Sequence, residues 1–109
     1  MITPQTINEE ISTLIGENSR GVTAVFQAEQ KLAEAEYDLD TTEQRAFLAA
    51  DGSVAERTAT AKIAAADKRL QRDLARAEFN RVKLKLKAVE SALMAAATQA
   101  KLLGVESRM

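Results

Sequence analysis

Four carboxylates in alternate positions, Glu34, Glu36, Asp38 and Asp40, come closest to a set of residues that could bind a metal ion. Divalent cations such as Ca²⁺ and Mg²⁺ prefer carboxylate oxygens as ligands. A spacing of two residues, however, spreads side chains around the axis of a helix instead of gathering them on one face. We therefore expect no metal ion and no cofactor here.

Groups for covalent or acid–base catalysis are equally sparse, because the 109 residues include no cysteine and no histidine. Their absence removes disulfides, thiol chemistry and the usual proton shuttle near neutral pH. The sequence also has no glycine-rich phosphate loop and no nucleophile with an adjacent base. We expect the protein not to be an enzyme.

The N-terminal sequence Met-Ile-Thr-Pro-Gln lacks the basic and apolar regions of a signal peptide. No stretch approaches the eighteen or so apolar residues that span a bilayer. The expected location is the cytoplasm, with no membrane partner.

Charge divides the chain at Asp51-Gly52-Ser53. Residues 1–56 carry eleven acidic and three basic side chains, whereas residues 62–87 carry nine basic and three acidic ones. Two oppositely charged helical stretches on either side of a turn predict an antiparallel hairpin. The surplus basic charge indicates where an acidic partner could bind.

A short first helix is predicted at residues 4–16. Thr3 suits the N-cap and Pro4 suits the first helical position. After Gly16, the segment 17–21 combines Asn, Ser and a second glycine, which favour a turn over a helix. We therefore expect a flexible joint before the next helix.

The hairpin is predicted to consist of helices at residues 22–50 and 54–103. Gly52 suits the left-handed position after the first of them, and Ser53 with Glu56 is typical of a capping box. Intervals of three and four residues mark one buried stripe, the seam, along the first arm. Its members are Val25, Ala28, Leu32, Ala35, Leu39, Thr42, Ala46 and Ala49.

The predicted fold class is therefore all-α, with a short N-terminal helix followed by a long, coiled-coil-like antiparallel hairpin. Residues 1–109 are expected to form a single helical domain, in which Asp67 could mark a kink or a restart of the last helix. The four aromatic residues are expected in the core or the seam.

Oppositely charged side chains recur every seven residues on the two arms and predict their register. Pairs whose residue numbers add up to 105 would face each other: Glu43 with Lys62, Glu36 with Arg69, and Glu29 with Arg76. Four cations are left opposite residues that are not acidic, namely Arg81, Lys83, Lys85 and Lys87. They could form a solvated face, pair with acidic residues of the first helix, or contact phosphates.

The second arm also carries two apolar stripes, which one neighbouring helix cannot cover together. One consists of Phe79, Val82, Leu86, Val89 and Leu93, and the other of Ile63, Leu70, Leu74, Ala77, Leu84 and Ala88. One of the two stripes is therefore left uncovered by the hairpin. An exposed apolar stripe of this length favours self-association, so we expect a homo-oligomer.

Several segments resemble small tailed-phage proteins of the UvsY-like recombination-mediator type. The resemblance rests on residues 43–52, 57–67, 90–95 and 100–103, and on their helix–loop–helix order. It implies a homo-oligomer that binds single-stranded DNA, contacts a single-strand-binding protein and helps to load a recombinase, in the host cytoplasm if a phage encodes it.

The family has a Lys-x-Arg pair just before the loop, where this chain keeps only Arg45. DNA contact is therefore expected mainly at Arg81, Lys83, Lys85 and Lys87, with Arg45 and Arg57 as secondary contacts near the turn. The alternative is a helical-hairpin protein–protein interaction module, such as a phage assembly or inhibitor protein, with no DNA role.

Overall fold

The computed structural model describes residues 2–104 and contains three helices in this part of the chain. Helix α1 spans Pro4–Ala49, α2 spans Val54–Ala64 and α3 spans Ala66–Leu102. The predicted all-α class and the helical hairpin are confirmed. Within residues 2–104, none of the helices combines the length and the apolar content needed to cross a membrane.

Helix α1 begins as the sequence predicts. The Thr6 backbone N–H donates to Thr3 Oγ1 over 3.2 Å, while the Thr3 N–H donates to Thr6 Oγ1 over 2.8 Å. These two bonds satisfy donors that the first turn of a helix leaves open. Pro4 occupies the first helical position, where a missing N–H has no cost.

The predicted joint at residues 16–21 is wrong, because α1 continues through it without a break. The seam explains why. Its alternation extends back through Gly21, Asn18 and Leu14, so that one apolar or small stripe runs along the whole helix. A Cβ atom at Gly21 would lie 2.9 Å from Leu86 Cδ1, so α3 packs closely on α1 at this glycine. Packing of this kind overrides the low helix propensity of glycine.

The turn between α1 and α2 follows the predicted chemistry. Gly52 has a φ of 105°, a left-handed conformation that favours glycine. The Glu56 N–H donates to Ser53 Oγ over 3.2 Å, which confirms Ser53 as the N-cap of α2. The Glu56 carboxylate accepts a hydrogen bond from the Ser53 hydroxyl over 3.1 Å.

The return arm is interrupted at a single residue, Ala65, which is fully buried and has φ −95° and ψ 3°. Helix α3 begins at the next residue with Asp67 in its first turn. The predicted continuous helix at residues 54–103 is therefore two helices, and the restart near Asp67 is confirmed.

The chain divides into two compact units. Unit 1 comprises residues 1–25 and 81–109, of which 2–25 and 81–104 are described, and its core packs Ile7 against Ala100, with Ile11 beside them. Unit 2 comprises Phe26–Asn80 and buries Leu39 and three alanines: Ala28, Ala61 and Ala65. Each unit is an antiparallel helical pair with a small core.

Candidate protein-interaction surface

Two ion pairs join the arms of unit 2. Arg69 Nη2 lies 3.8 Å from Glu43 Oε2, and Arg76 Nη2 lies 3.5 Å from Glu36 Oε1. The residue numbers of both pairs add up to 112, so the predicted partners are wrong: each arginine pairs with the acidic residue one heptad closer to the turn. In the described chain, Lys62 forms no ion pair with Glu43.

The packing contacts show no seven-residue offset of the arms. Gly21 lies against Leu86 in unit 1, and Phe47 contacts Arg57 near the turn of unit 2, with residue-number sums of 107 and 104. Long side chains on the flank of a helical pair can reach either of two charged residues one heptad apart. The heptad spacing of the charges was predicted correctly, but a repeat of seven residues does not determine which acidic residue pairs with which basic one.

The sequence predicted that four cations of α3 have no acidic partner on the opposite arm. Arg81 and Lys83 both make contacts of their own within the protein. Lys85 and Lys87 have exposed side chains. Unit 1 contains a groove of about 400 Å³. Two of the four cations, Arg81 and Lys85, line it together with Arg20 and one acidic residue, Glu17.

The two secondary cations belong to unit 2. Arg45 is exposed on α1. Arg57 is half-buried and serves the hairpin, since its Nε donates to the Phe47 carbonyl oxygen over 3.2 Å. The six predicted DNA-contacting residues thus fall into two groups, four in unit 1 and two in unit 2.

Of the two apolar stripes on the return arm, the structure buries the first. Val82 is buried, and its stripe partners Phe79, Leu86, Val89 and Leu93 are half-buried. Every member of the second stripe is exposed, from Ile63 to Ala88. The open surface of the return arm is therefore the Ile63–Ala88 stripe.

Helix α1 also has an exposed apolar surface, which the sequence analysis missed because it placed the aromatic residues in the core. Phe26 is 70% exposed, Tyr37 69% and Leu48 74%. They follow one another at intervals of eleven residues, which make three helical turns plus about 20°. The three side chains therefore lie on one line of α1, about 16.5 Å apart. We call these three residues the outer line.

Acidic side chains flank the outer line. Glu29 and Asp40 each follow one of its members by three residues and so share its face of the helix, whereas the basic Arg45 precedes Leu48 by the same interval. The spacing of eleven was visible in the sequence, but only the burial of the other face identifies it as a surface. Unit 2 thus presents an apolar line with acidic residues beside Phe26 and Tyr37.

In residues 2–104, no three His, Cys, Asp or Glu side chains are grouped closely enough to hold a metal ion. Comparison of the chain with protein-family models, with curated proteins and with solved structures returned no match.

Proposed function

We propose that the protein is a helical-hairpin interaction module without catalytic activity, and that α1 presents its outer line to a partner helix. The observation that carries this proposal is the exposure of Phe26, Tyr37 and Leu48 at helical spacing. Apolar anchors on one helix face are a means by which a helix recognises an apolar groove or another helix.

The small core supports the same function. Five of the eight apolar residues that are buried within residues 2–104 are alanines, which remove little area from water. Covering a large side chain such as Phe or Leu contributes about 1.5 to 3 kcal/mol. A partner on the outer line therefore adds stabilisation comparable to that of several core positions, and we expect it to raise the stability of the hairpin.

Site-specific photocrosslinking tests this proposal in cells that express the full chain. With p-benzoylphenylalanine at Tyr37, ultraviolet light should produce a covalent adduct between this protein and another polypeptide. The matched control carries the same group at Lys31, which is also exposed on α1 but lies away from the outer line. Failure to obtain an adduct from Tyr37, Phe26 and Leu48 alike would overturn the interaction function.

A second candidate function is the binding of single-stranded DNA by a recombination mediator. The specific observation in its favour is the unit 1 groove, where three cations meet one carboxylate, together with the exposed side chain of Lys87. Loading of a recombinase is the further step that the resemblance to UvsY-like proteins implies.

Fluorescence anisotropy of a labelled oligonucleotide tests the DNA role. Affinity should fall with salt with a logarithmic slope of roughly −0.7 per phosphate contacted. The variant Lys85→Ala/Lys87→Ala should flatten this slope while its circular dichroism stays unchanged, since both side chains are exposed. Absence of binding at low salt would remove this candidate.

A further inference from the structure

Two heptapeptides of the chain have the same layout and opposite charges. Residues 34–40 read Glu-Ala-Glu-Tyr-Asp-Leu-Asp, and residues 81–87 read Arg-Val-Lys-Leu-Lys-Leu-Lys. Positions one, three, five and seven are all acidic in the first segment and all basic in the second. Position four is a large apolar residue in both, Tyr37 or Leu84.

The structure gives the two segments the same orientation within their own units. Tyr37 and Leu84 point outwards and are each 69% exposed. Two residues away, Leu39 and Val82 are buried in their respective units. Each segment therefore uses one face within the chain and leaves the face centred on Tyr37 or Leu84 uncovered.

Some of the charges already have partners in the chain. Glu36 is paired with Arg76, while Arg81 and Lys83 make contacts within the described residues. Beside the exposed apolar centres, further charged side chains remain at the surface; these are Glu34, Asp38 and Asp40 in the acidic segment, and Lys85 and Lys87 in the basic one. The Glu34 carboxylate accepts only a long hydrogen bond of 3.4 Å from Gln30 Nε2.

We infer that residues 34–40 of one copy pack against residues 81–87 of a second copy, with Tyr37 on Leu84. Side chains three residues from the centre share its helix face, so Glu34 and Asp40 surround Tyr37, and Lys87 lies beside Leu84. Opposite charges then meet around a dry apolar contact, which favours the correct partner and rejects a like-charged one. This inference rests on the proposed interaction function and names its partner.

Each copy carries both segments, so copies of the same chain supply both sides of the contact. The charge pattern is symmetric about its centre and therefore suits parallel and antiparallel packing of the two helices alike. An apolar contact flanked by charges on both sides is the pattern that also specifies partners in coiled coils. The second copy supplies it without any further component.

Charge reversal tests the pairing by sedimentation of the full chain. The wild type should have a mass of at least twice 11.8 kDa at micromolar concentration. Glu34→Lys/Asp40→Lys and Lys85→Glu/Lys87→Glu should each weaken self-association at least about tenfold, because like charges then face each other. An equimolar mixture of the two variants should regain the association.

The variant Glu9→Lys/Glu10→Lys is the matched control for the acidic change. It alters the same charge on exposed positions of α1, and Glu9 accepts the same 3.4 Å hydrogen bond from Gln5 that Glu34 accepts from Gln30. Its mass should equal that of the wild type. If it dissociates as well, the assembly responds to net charge, and the specific pairing is wrong.

Three outcomes would overturn the inference. The wild type could be a helical monomer, the two variants could keep their association, or their mixture could fail to restore it. A monomer that still gives a Tyr37 photoadduct with a different protein removes the second copy and leaves the interaction module intact. A monomer that loses oligonucleotide binding in Lys85→Glu/Lys87→Glu assigns the basic segment to DNA instead.

Discussion

The Arg57 guanidinium lies over the Phe47 ring, with 4.5 Å between Cζ and the ring centroid, while its Nε donates to the Phe47 carbonyl oxygen. One side chain of α2 thus holds both the backbone and the ring of a residue in the last turn of α1. The carbonyl belongs to the last turn of the helix, where its backbone partner is the Ala50 N–H at a long 3.4 Å. The Arg57–Phe47 contact therefore closes the hairpin beside the turn.

Arg57→Ala should lower the free energy of unfolding by about 1 to 2 kcal/mol, because it removes a charge-assisted hydrogen bond and a cation–π contact. Arg45→Ala removes the same charge from an exposed position of α1 and should change stability by less than about 0.5 kcal/mol. Urea unfolding followed by circular dichroism measures both. Equal effects would show that Arg57 acts only through its charge.

Gly52→Ala should destabilise the protein by about 1 to 3 kcal/mol, because a φ of 105° is strained for any residue with a Cβ atom. The new Cβ would also lie 2.8 Å from Glu56 Oε2 and disturb the cap of α2. The thermal midpoint reports the loss. A variant as stable as the wild type would mean that the turn adopts another conformation.

The two glycines within α1 should respond differently to alanine. At Gly16 the nearest atom to a new Cβ is the end of the Arg20 side chain at 3.4 Å, so Gly16→Ala should gain about 0.5 to 1 kcal/mol of helix stability. At Gly21 the new Cβ meets Leu86 Cδ1 at 2.9 Å, so Gly21→Ala should gain less or lose stability.

Leu86→Ala serves as the background that isolates this contact. In it, Gly21→Ala should recover the full gain expected of an exposed helical glycine, because the atom that crowds the new Cβ has been removed. Equal responses of Gly21 in the two backgrounds would contradict close packing of α1 on α3.

A double-mutant cycle on Glu36 and Arg76 should give a coupling of about 0.2 to 1 kcal/mol, as expected of a partly exposed ion pair. The same cycle on Glu29 and Arg76 should give none, since Arg76 pairs with Glu36. Salt at 1 M should remove the first coupling. A coupling at Glu29 that exceeds the one at Glu36 would restore the predicted pairing of Glu29 with Arg76.

The features that the sequence predicted correctly depend on neighbours in the chain. The cap at Ser53, the left-handed Gly52 and the start of α1 at Thr3 each require only the residues within one turn. Local chemistry of this kind is the same in a peptide and in a folded protein, which is why it could be inferred without a structure.

The features that were missed depend on the other arm. Gly16 and Gly21 favour a turn by propensity, yet α1 continues through both, and α3 packs closely on it at Gly21. Exposure of Phe26 and Tyr37 is likewise set by which face of α1 the return arm covers. The acidic residues at 34–40 and the basic residues at 81–87 were each recognised in the sequence, but their relation became visible only when Tyr37 and Leu84 proved to point outwards.

The charges that form the ion pairs of unit 2 recur every seven residues on both arms. Shifting one arm by seven residues brings acid to base again, so these charges accept either alignment, and the Phe47–Arg57 contact, which has no copy seven residues away, distinguishes them. Seven residues added to each arm between the two pairs would leave both pairs intact, whereas one residue added to a single arm would separate them. A hairpin of this kind keeps both ion pairs when its length changes by whole heptads in both arms together.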